Sequence, residues 1–192
     1  SNVILFRKDR FDLMSLDYFW LSDTPDTESK GWDELYDCFR ICEYVVLRDK
    51  KEGICFTHMN THYGFGDKGQ VSSSRLIYER SKIISDFPTV ITGDFNMCAG
   101  SAGYNEMIKY FTDVNEATVK NYSETFHNYG VKSDDASENS PDEDINGRSK
   151  LHIDHCFVNK GVIPLNQRII KDLPDGGYPS DHYALISELE IK

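Results

Sequence analysis

Four short segments place acids, amides and imidazoles at the ends of apolar, extended stretches of the chain. They are Asn60-Thr61-His62, Gly93-Asp94-Phe95-Asn96, Ile153-Asp154-His155 and Ser180-Asp181-His182. A strand end is where a rigid scaffold can present a polar side chain to a cleft. Carboxylates and imidazoles can exchange protons near neutral pH, and carboxylate oxygens suit a hard cation such as Mg²⁺. These residue types therefore favour acid–base chemistry beside a metal ion.

The segment from Gly93 to Asn96 has two interpretations. In an extended chain, Asp94 and Asn96 point the same way while Phe95 points into the packed layer. A carboxylate beside an amide can hold a water molecule between an acceptor and a donor. A simple turn after a strand is an equally good interpretation, because Gly, Asp and Asn all favour turns.

The segment around His182 offers a second acid–base pair. Asp181 is an oxygen ligand suited to Mg²⁺, and His182 titrates near neutral pH. Asp154 is suited to orient that imidazole through one ring nitrogen. Alone, a Ser-Asp-His tripeptide after Pro179 is more typical of a surface turn.

Three further residues are candidates for substrate binding: Asn60, Arg75 and His127. Asn60 shares a face with His62, although each of the two is by itself more typical of an ordinary structural residue. Arg75 opens a predicted helix and is suited to phosphate, but a surface salt bridge is the commoner role. His127 lies in a loop, where substrate contact and simple exposure are equally consistent with the sequence.

Hydrophobic patterning predicts the elements that carry these residues. Strands are expected at 3–6, 11–20, 44–47, 54–57, 89–92, 151–158 and 183–191, and helical stripes at 32–39, 76–87 and 104–111. The segment Lys50-Lys51-Glu52-Gly53 predicts a hairpin turn, and the acid-rich stretch at 131–150 a mobile, solvated loop. The alternation of strands and helices along the chain, with a hairpin among them, predicts a layered α/β fold with mixed sheets.

The amino-acid composition limits the classes of function that the protein could have. The 192 residues carry 21 Lys and Arg against 32 Asp and Glu, a net charge of −11, which argues against a broad basic face for nucleic acid. An enzyme that meets phosphate through a bound cation is not excluded. The length suits a single domain over 1–192, and no apolar run approaches the roughly 20 residues of a membrane span. Five cysteines without close pairs predict neither a disulfide framework nor a zinc knuckle. A cytoplasmic location is favoured, although a signal upstream of Ser1 would not be visible.

In their order, the four segments resemble the signature of the endonuclease/exonuclease/phosphatase superfamily of deoxyribonuclease I-like phosphoesterases. The resemblance runs from Val3 to the C-terminus. Supporting segments that resemble a bacterial metal-dependent hydrolase branch are 4–11, Phe19-Trp20-Leu21-Ser22, Gly31-Trp32 and Thr125-Phe126-His127. The resemblance implies a four-layer αββα sandwich of two mixed β-sheets flanked by helices. It also implies a phosphoesterase dependent on Mg²⁺ or Mn²⁺.

The resemblance also implies roles for the strand-end residues. His62 would contact the scissile phosphate, Asp94 would orient or deprotonate the attacking water, and Asn96 would hold the phosphate or that water. In the second half of the chain, Asp154 would pair with His182. His182 would then stabilise the pentacovalent phosphorane or act as a base, and Asp181 would approach the metal.

One departure from the family pattern opens alternatives. The family carries a metal-binding Glu, in a Gln-Glu pair, on a strand preceding the equivalent of Val3, and the sequence holds no such segment. We therefore expect an N-terminally incomplete domain, with a catalytically incompetent fragment that keeps a binding surface as the alternative function. Within the enzyme interpretation, a phosphomonoester and a phosphodiester stay open, as do a nuclease and a small-molecule or lipid-headgroup phosphodiesterase. Zinc hydrolysis by His62, His155 and His182 is disfavoured, because no HExxH-like spacing occurs.

Overall fold

The structure, a computed structural model, describes residues 2–130, 147–173 and 176–192. These residues form a six-stranded sheet in the order β1-β2-β3-β4-β6-β5 and a second sheet of β7 and β8. The strands are Phe11–Trp20, Ile41–Asp49, Cys55–His62, Thr89–Asp94, Thr112–Asp113, Asp154–Val158, Val162–Ile170 and Ala184–Ile191 (β1 to β8). The helices are Asp67–Ile84, Ala102–Met107 and Val114–Ala117 (α1 to α3), with a 3-10 turn at Asn128–Gly130. A mixed sheet, a second sheet and packed helices confirm the predicted α/β sandwich class.

The topology of the larger sheet brings separate parts of the sequence to one edge. β3 and β4 are parallel and joined by α1, whereas β2 and β6 run antiparallel to their neighbours. The ends of β3 and β4 therefore lie at the same edge as the beginnings of β2 and β6. In this register His62 lies beside Asp94, and Asp94 lies opposite Asp154.

Alternation along β3 decides which side chains face the helices. Thr57, Met59 and Thr61 are buried under α1, while the residues between them are only half-buried on the other face. Met59 and Ile91 are fully buried in the core between sheet and helices, and each such side chain contributes about 1.5–3 kcal/mol. This packing turns His62 away from the helices and toward the face that carries the site.

The predicted helix at 32–39 is wrong, because this stretch is a loop without helical hydrogen bonding. The Asp33 carboxylate accepts the backbone N–H groups of Leu35 and Tyr36, at 3.1 and 2.9 Å, and so competes with helix formation. Leu35 and Tyr36 are exposed, so the apolar stripe that suggested the helix is not buried. We call residues 32–40 the Asp33 loop.

The other differences also arise from tertiary contacts. Residues 3–6 form no strand, and the segment is tied to the sheet through the Asn2 and Asn60 side chains instead of a backbone ladder. The sequence pattern does not predict β7, because Pro164 interrupts the alternation of apolar and polar residues. In the structure this proline lies at a bulge between Pro164 and Asn166, where the pairing of β7 with β8 shifts register. The predicted acidic loop falls mainly on 131–146, outside the described residues.

The β1 strand exposes four large apolar side chains, at Leu13, Met14, Leu16 and Tyr18. None of the described helices combines the length and the apolar character needed to cross a bilayer.

Gly93 is required where β4 passes closest to β3. Its φ of 155° is rarely adopted by other residues, and a Cβ atom would lie 2.0 Å from the Thr61 carbonyl oxygen. We expect Gly93→Ala to lower the free energy of unfolding by about 3 kcal/mol, measured by urea denaturation, because a backbone atom must move. Gly53→Ala is the matched control: its φ is also positive, at 73°, but no atom lies within 4 Å, so the loss should be about 1 kcal/mol. Equal losses in the two variants would contradict the close approach.

Candidate active site

Four of the predicted residues come together in one cluster. They lie at the end of β3, at the end of β4, at the beginning of β6 and in the segment before β8. The Asp94 Oδ2 atom lies 3.4 Å from His62 Nε2 and 3.7 Å from His182 Nε2. The Asp154 Oδ2 atom lies 2.7 Å from His182 Nδ1. We call His62, Asp94, Asp154 and His182 the acid–imidazole cluster. It spans 121 positions of the sequence, from 62 to 182, so only the fold can assemble it.

The hydrogen bond between His182 and Asp154 fixes the protonation of the ring. A carboxylate can only accept, so Nδ1 of His182 carries the proton and Nε2 points toward Asp94. This hydrogen bond, together with the negative charges of Asp154, Asp94 and Asp181, raises the pKa of His182. The doubly protonated imidazolium form of His182, with a proton on Nε2 as well, is therefore more stable here than in a free histidine.

Asp94 is the carboxylate whose titration is displaced toward neutral pH. Burial and the neighbouring Asp154 charge raise the pKa of Asp94 to about 6, against the opposing effects of the Asn96 N–H group and of His182. A carboxylate with such a pKa is a better proton acceptor than an ordinary Asp at neutral pH.

His62 is kept neutral by its surroundings. Partial burial lowers the pKa of His62, and the nearby positive charges of Arg40 and His182 lower it further. Its side chain remains 44% exposed, so a ligand can reach the ring. A neutral imidazole still carries one ring N–H group, which can donate a hydrogen bond to a phosphoryl oxygen.

Thr125 holds the two halves of the cluster together, a role that sequence reasoning missed. Its Oγ1 atom accepts from the backbone N–H groups of Ile153 and Asp154, at 3.0 and 3.1 Å, and donates to the Leu151 carbonyl at 3.2 Å. Its own carbonyl accepts from the Tyr183 N–H group at 2.8 Å. Thr125 thus fastens the chain before Asp154 to the chain after His182. The sequence signal was its place in the Thr125-Phe126-His127 segment.

Asn96 lies next to the cluster but in a turn and not in an extended strand. Its φ is 49°, and its N–H group donates to Asp94 Oδ1 at 2.9 Å. Its side-chain Nδ2 donates to the Tyr63 carbonyl at 2.9 Å, which leaves Oδ1 and the second Nδ2 hydrogen as the groups that could meet a ligand. The turn interpretation of this segment is correct, and the extended one is wrong.

Asp181 sits beside His182, and its carboxylate accepts from Ser180 Oγ at 3.3 Å. Carboxylates of Asp94, Asp154 and Asp181 are the oxygen donors that a hard cation prefers. Within the described part of the chain, however, no three histidine, cysteine or acidic side chains are arranged to hold an ion. The residues therefore offer suitable donors without forming a complete cage.

Asn60 and Arg75 form their hydrogen bonds with residues outside the acid–imidazole cluster. Asn60 donates to the Val3 carbonyl at 3.3 Å and accepts from Thr92 Oγ1 at 3.4 Å, one step below His62 on the same face. Arg75 donates to the carboxylate of Glu106 on α2 at 2.9 and 3.3 Å. Substrate contact by these two residues is not tested by the structure and stays a prediction.

His127 packs against two tyrosine rings in the segments that flank His182. Its ring lies 4.4 Å from that of Tyr178 and 4.1 Å from that of Tyr183, and its backbone N–H group donates to the Asp181 carbonyl at 2.9 Å. His155, by contrast, is buried on the opposite face of β6 with Nε2 2.9 Å from the Met97 carbonyl. His155 therefore does not join His62 and His182, which removes the zinc alternative built on those three histidines.

Arg40 is a second residue near the site that sequence reasoning missed. It immediately precedes β2, whose first paired residues lie opposite the end of β3: Cys42 opposite Thr61. Arg40 therefore lies at the site's edge of the sheet. The hairpin predicted around Lys50–Gly53 contained this information, because counting back from the turn places Arg40 opposite Tyr63, the residue that follows His62.

The influence of Asp154 on Asp94 can be measured directly. We expect Asp154→Asn to lower the pKa of Asp94 from about 6 by about one unit, because a negative neighbour is removed while burial remains. The measurement is the ¹³C NMR titration of the Asp94 carboxyl carbon. Asp181→Asn is the control and should leave that pKa unchanged. An unaltered Asp94 titration in Asp154→Asn would show that burial alone sets it.

The chain is similar in sequence and in structure to known proteins. Residues 8–182 match the model of the Endonuclease/Exonuclease/phosphatase family. A crystal structure of an endonuclease/exonuclease/phosphatase from Bacteroides vulgatus superposes with a TM-score of 0.79 at 27% identity, covering 97% of this chain and 69% of that one. Among curated proteins, none matches the sequence significantly.

Two other solved structures widen the comparison. The Bacteroides thetaiotaomicron mannosyl-6-phosphatase superposes with a TM-score of 0.77 at 28% identity, covering 97% of this chain and 69% of that one. D. rerio TDP2 complexed with a single-strand DNA product shares the fold at 15% identity, with a TM-score of 0.67 and coverage of 96% and 70%. The match over residues 8–182, with the acid–imidazole cluster inside it, establishes that the chain belongs to the endonuclease/exonuclease/phosphatase family.

Proposed function

We propose that this protein hydrolyses a phosphate ester by attack of an activated water at phosphorus. The observation that carries the proposal is the position of Asp94 Oδ2, 3.4 Å from one imidazole nitrogen and 3.7 Å from another. A half-buried carboxylate with a raised pKa near two imidazoles is an arrangement for moving protons. Family membership supports phosphate esters as the substrate class.

The proton movements follow from the protonation states. Water attacks phosphorus and gives its proton to Asp94 Oδ2, while the bond from phosphorus to the leaving oxygen breaks. His182 donates its Nε2 proton to that oxygen, and Asp154 stabilises the imidazolium before the transfer. His62 donates a hydrogen bond to a phosphoryl oxygen. The proton on Asp94 then returns to His182 Nε2, 3.7 Å away, and restores the starting state.

A divalent cation, Mg²⁺ or Mn²⁺, is part of the proposal. Mg²⁺ is often held by one or two carboxylates and the substrate phosphate while it keeps several waters, so Asp181 is its proposed protein ligand. When bound, the ion would supply positive charge against the phosphoryl oxygens.

A small phosphate ester is favoured over extended nucleic acid as the substrate. The chain carries a net charge of −11, with an acid-rich stretch between Asp134 and Asp144. Such a charge repels a polyanion, whereas one phosphate group meets only the local charges of the site. The similarity to a mannosyl-6-phosphatase at 28% identity makes sugar phosphates the first monoesters to assay, beside a chromogenic phosphodiester and a DNA oligonucleotide.

The alternative function is a binding surface without turnover. It is favoured by the incomplete set of ion ligands among the described residues. Ligand binding without hydrolysis of any substrate in this panel would support it.

Asp94→Asn tests the proposal. We expect turnover to fall by about 100- to 10,000-fold, because the proton acceptor is lost. The melting temperature at pH 8 should not fall. Since the pKa of Asp94 is raised in the folded state, its ionised form opposes folding above pH 6, and the neutral amide removes that cost while still accepting the Asn96 N–H group. Asp86→Asn, at an exposed acid before β4, is the control and should leave both quantities unchanged. Undiminished turnover in Asp94→Asn would remove Asp94 from the mechanism.

Removal of divalent cations tests the metal. We expect hydrolysis to stop after exhaustive EDTA treatment and to return with Mg²⁺. In Asp181→Asn the Mg²⁺ concentration for half-maximal activity should rise by about tenfold, since one carboxylate ligand is lost. Activity that survives chelation would contradict the metal requirement and leave the acid–base part of the proposal standing.

A further inference from the structure

We propose that Arg40 is a phosphate-binding residue of this site, held in place by Asp33. The inference deepens the proposed function and rests on it. It assigns the anchoring of the substrate's phosphate group to a fixed cation of the chain itself, at the residue that precedes β2, the strand next to the one that carries His62.

The position of Arg40 follows from strand pairing. β2 begins at Ile41 and is paired antiparallel with β3, with Cys42 opposite Thr61. The residue before β2 therefore lies at the edge where β3 ends in His62. The order β2-β3-β4-β6 therefore places Arg40, just before β2, at the same edge as His62, Asp94 and Asp154 on the next three strands.

The guanidinium group of Arg40 is rigidly held. Its Nε and Nη2 atoms donate to Asp33 Oδ2 at 3.1 and 2.9 Å. The side chain of Arg40 is 13% exposed and that of Asp33 is fully buried. Asp33 Oδ1 in turn accepts the backbone N–H groups of Leu35 and Tyr36. An arginine fixed in this way loses little conformational entropy when it binds a ligand.

The loop that carries this pair is packed closely against the loop after β3. The Glu34 N–H group donates to the Phe65 carbonyl at 2.9 Å, and a Cβ atom on Gly64 would lie 2.8 Å from Asp33. Such close contacts leave the Asp33 loop little room to move. The loop after β3 directly follows His62, the last residue of that strand. Arg40 is therefore fixed relative to His62.

Arg40 keeps donors that Asp33 does not use. A guanidinium group has five N–H donors, and the two bonds to Asp33 use one on Nε and one on Nη2. The remaining donors suit the fork-shaped recognition of a phosphate group. The field of Arg40 also extends to the centre of the site, since its charge lowers the pKa of both His62 and Asp94.

A second pair of the same construction lies at the other end of the sheet and provides a matched control. Arg10 Nε donates to Asp49 Oδ2 at 3.0 Å, and Asp49 Oδ1 accepts the N–H groups of Lys51 and Glu52. The carboxylate is again almost buried, at 8% exposure, while the Arg10 side chain is 57% exposed. The two pairs share their chemistry and differ in position, so only the Arg40 pair should affect phosphate binding.

The experiment is calorimetric titration of the full chain with inorganic phosphate. We expect Arg40→Gln to raise the dissociation constant by about tenfold, the effect of one lost charge-assisted contact. Arg10→Gln should stay within about twofold of the unmodified chain, since the same charge is removed far from the site. Equal effects in both variants, no effect in Arg40→Gln, or no phosphate binding by the unmodified chain at millimolar concentrations would each overturn the proposal.

A double variant separates the role of Arg40 from the uncompensated charge of Asp33. In Asp33→Asn/Arg40→Gln the loop keeps an oxygen that accepts the N–H groups of Leu35 and Tyr36, and no buried charge is left unpaired. We expect phosphate binding to stay weak in this variant. Restored binding would show that Arg40 only neutralises Asp33. The variant also covers the case in which Arg40→Gln alone does not fold. Because the readout is phosphate affinity, failure here leaves the hydrolytic role of Asp94 to be decided by its own turnover measurement.

Discussion

Asp94 and Asp154 lie directly opposite each other on neighbouring strands, and their mutual repulsion is the constraint that the surrounding site balances. Like charges facing across a sheet destabilise it. The structure places imidazoles against both carboxylates: His182 bonds Asp154 at 2.7 Å, and the Nε2 atoms of His62 and His182 lie near Asp94. Burial, together with the same repulsion, raises the pKa of Asp94 to about 6. The environment that makes the ionised pair costly thus also makes Asp94 a better proton acceptor than an ordinary aspartate.

The scaffold around this pair is rigid for identifiable reasons. Gly93 lets β3 and β4 approach closely, Thr125 fastens the segments that carry Asp154 and His182, and Asp33 fixes Arg40. Each contact joins parts of the chain that are remote or that would otherwise be free loops. Groups held in place before a ligand arrives need not reorganise during the reaction, which is the main source of electrostatic stabilisation in enzymes.

Local patterns predicted the elements well where a stripe of apolar side chains is buried. The strands around the Lys50–Gly53 hairpin follow such stripes. The helix predicted at 76–87 overlaps α1, which begins already at Asp67, because the buried face of α1 is formed mainly by Gly, Gln and Ser residues that give no apolar stripe. The prediction failed at 32–39, where the apolar spacing is helical but a buried carboxylate captures the backbone N–H groups that a helix needs. It failed again at β7, where Pro164 breaks the pattern and a bulge restores the pairing.

The sequence alone determined the family resemblance, the order of the strand-end segments and the residue types that they present, because hydrophobic alternation and turn residues act over a few neighbours. It also carried the net charge of −11 that disfavours a polyanionic substrate. Only the tertiary structure decided that Asn96 sits in a turn, that His155 faces the core and that Arg40 lies at the edge of the sheet where the site is. Those outcomes depend on the register between strands far apart in the chain, and register is set by the packing of the whole sheet.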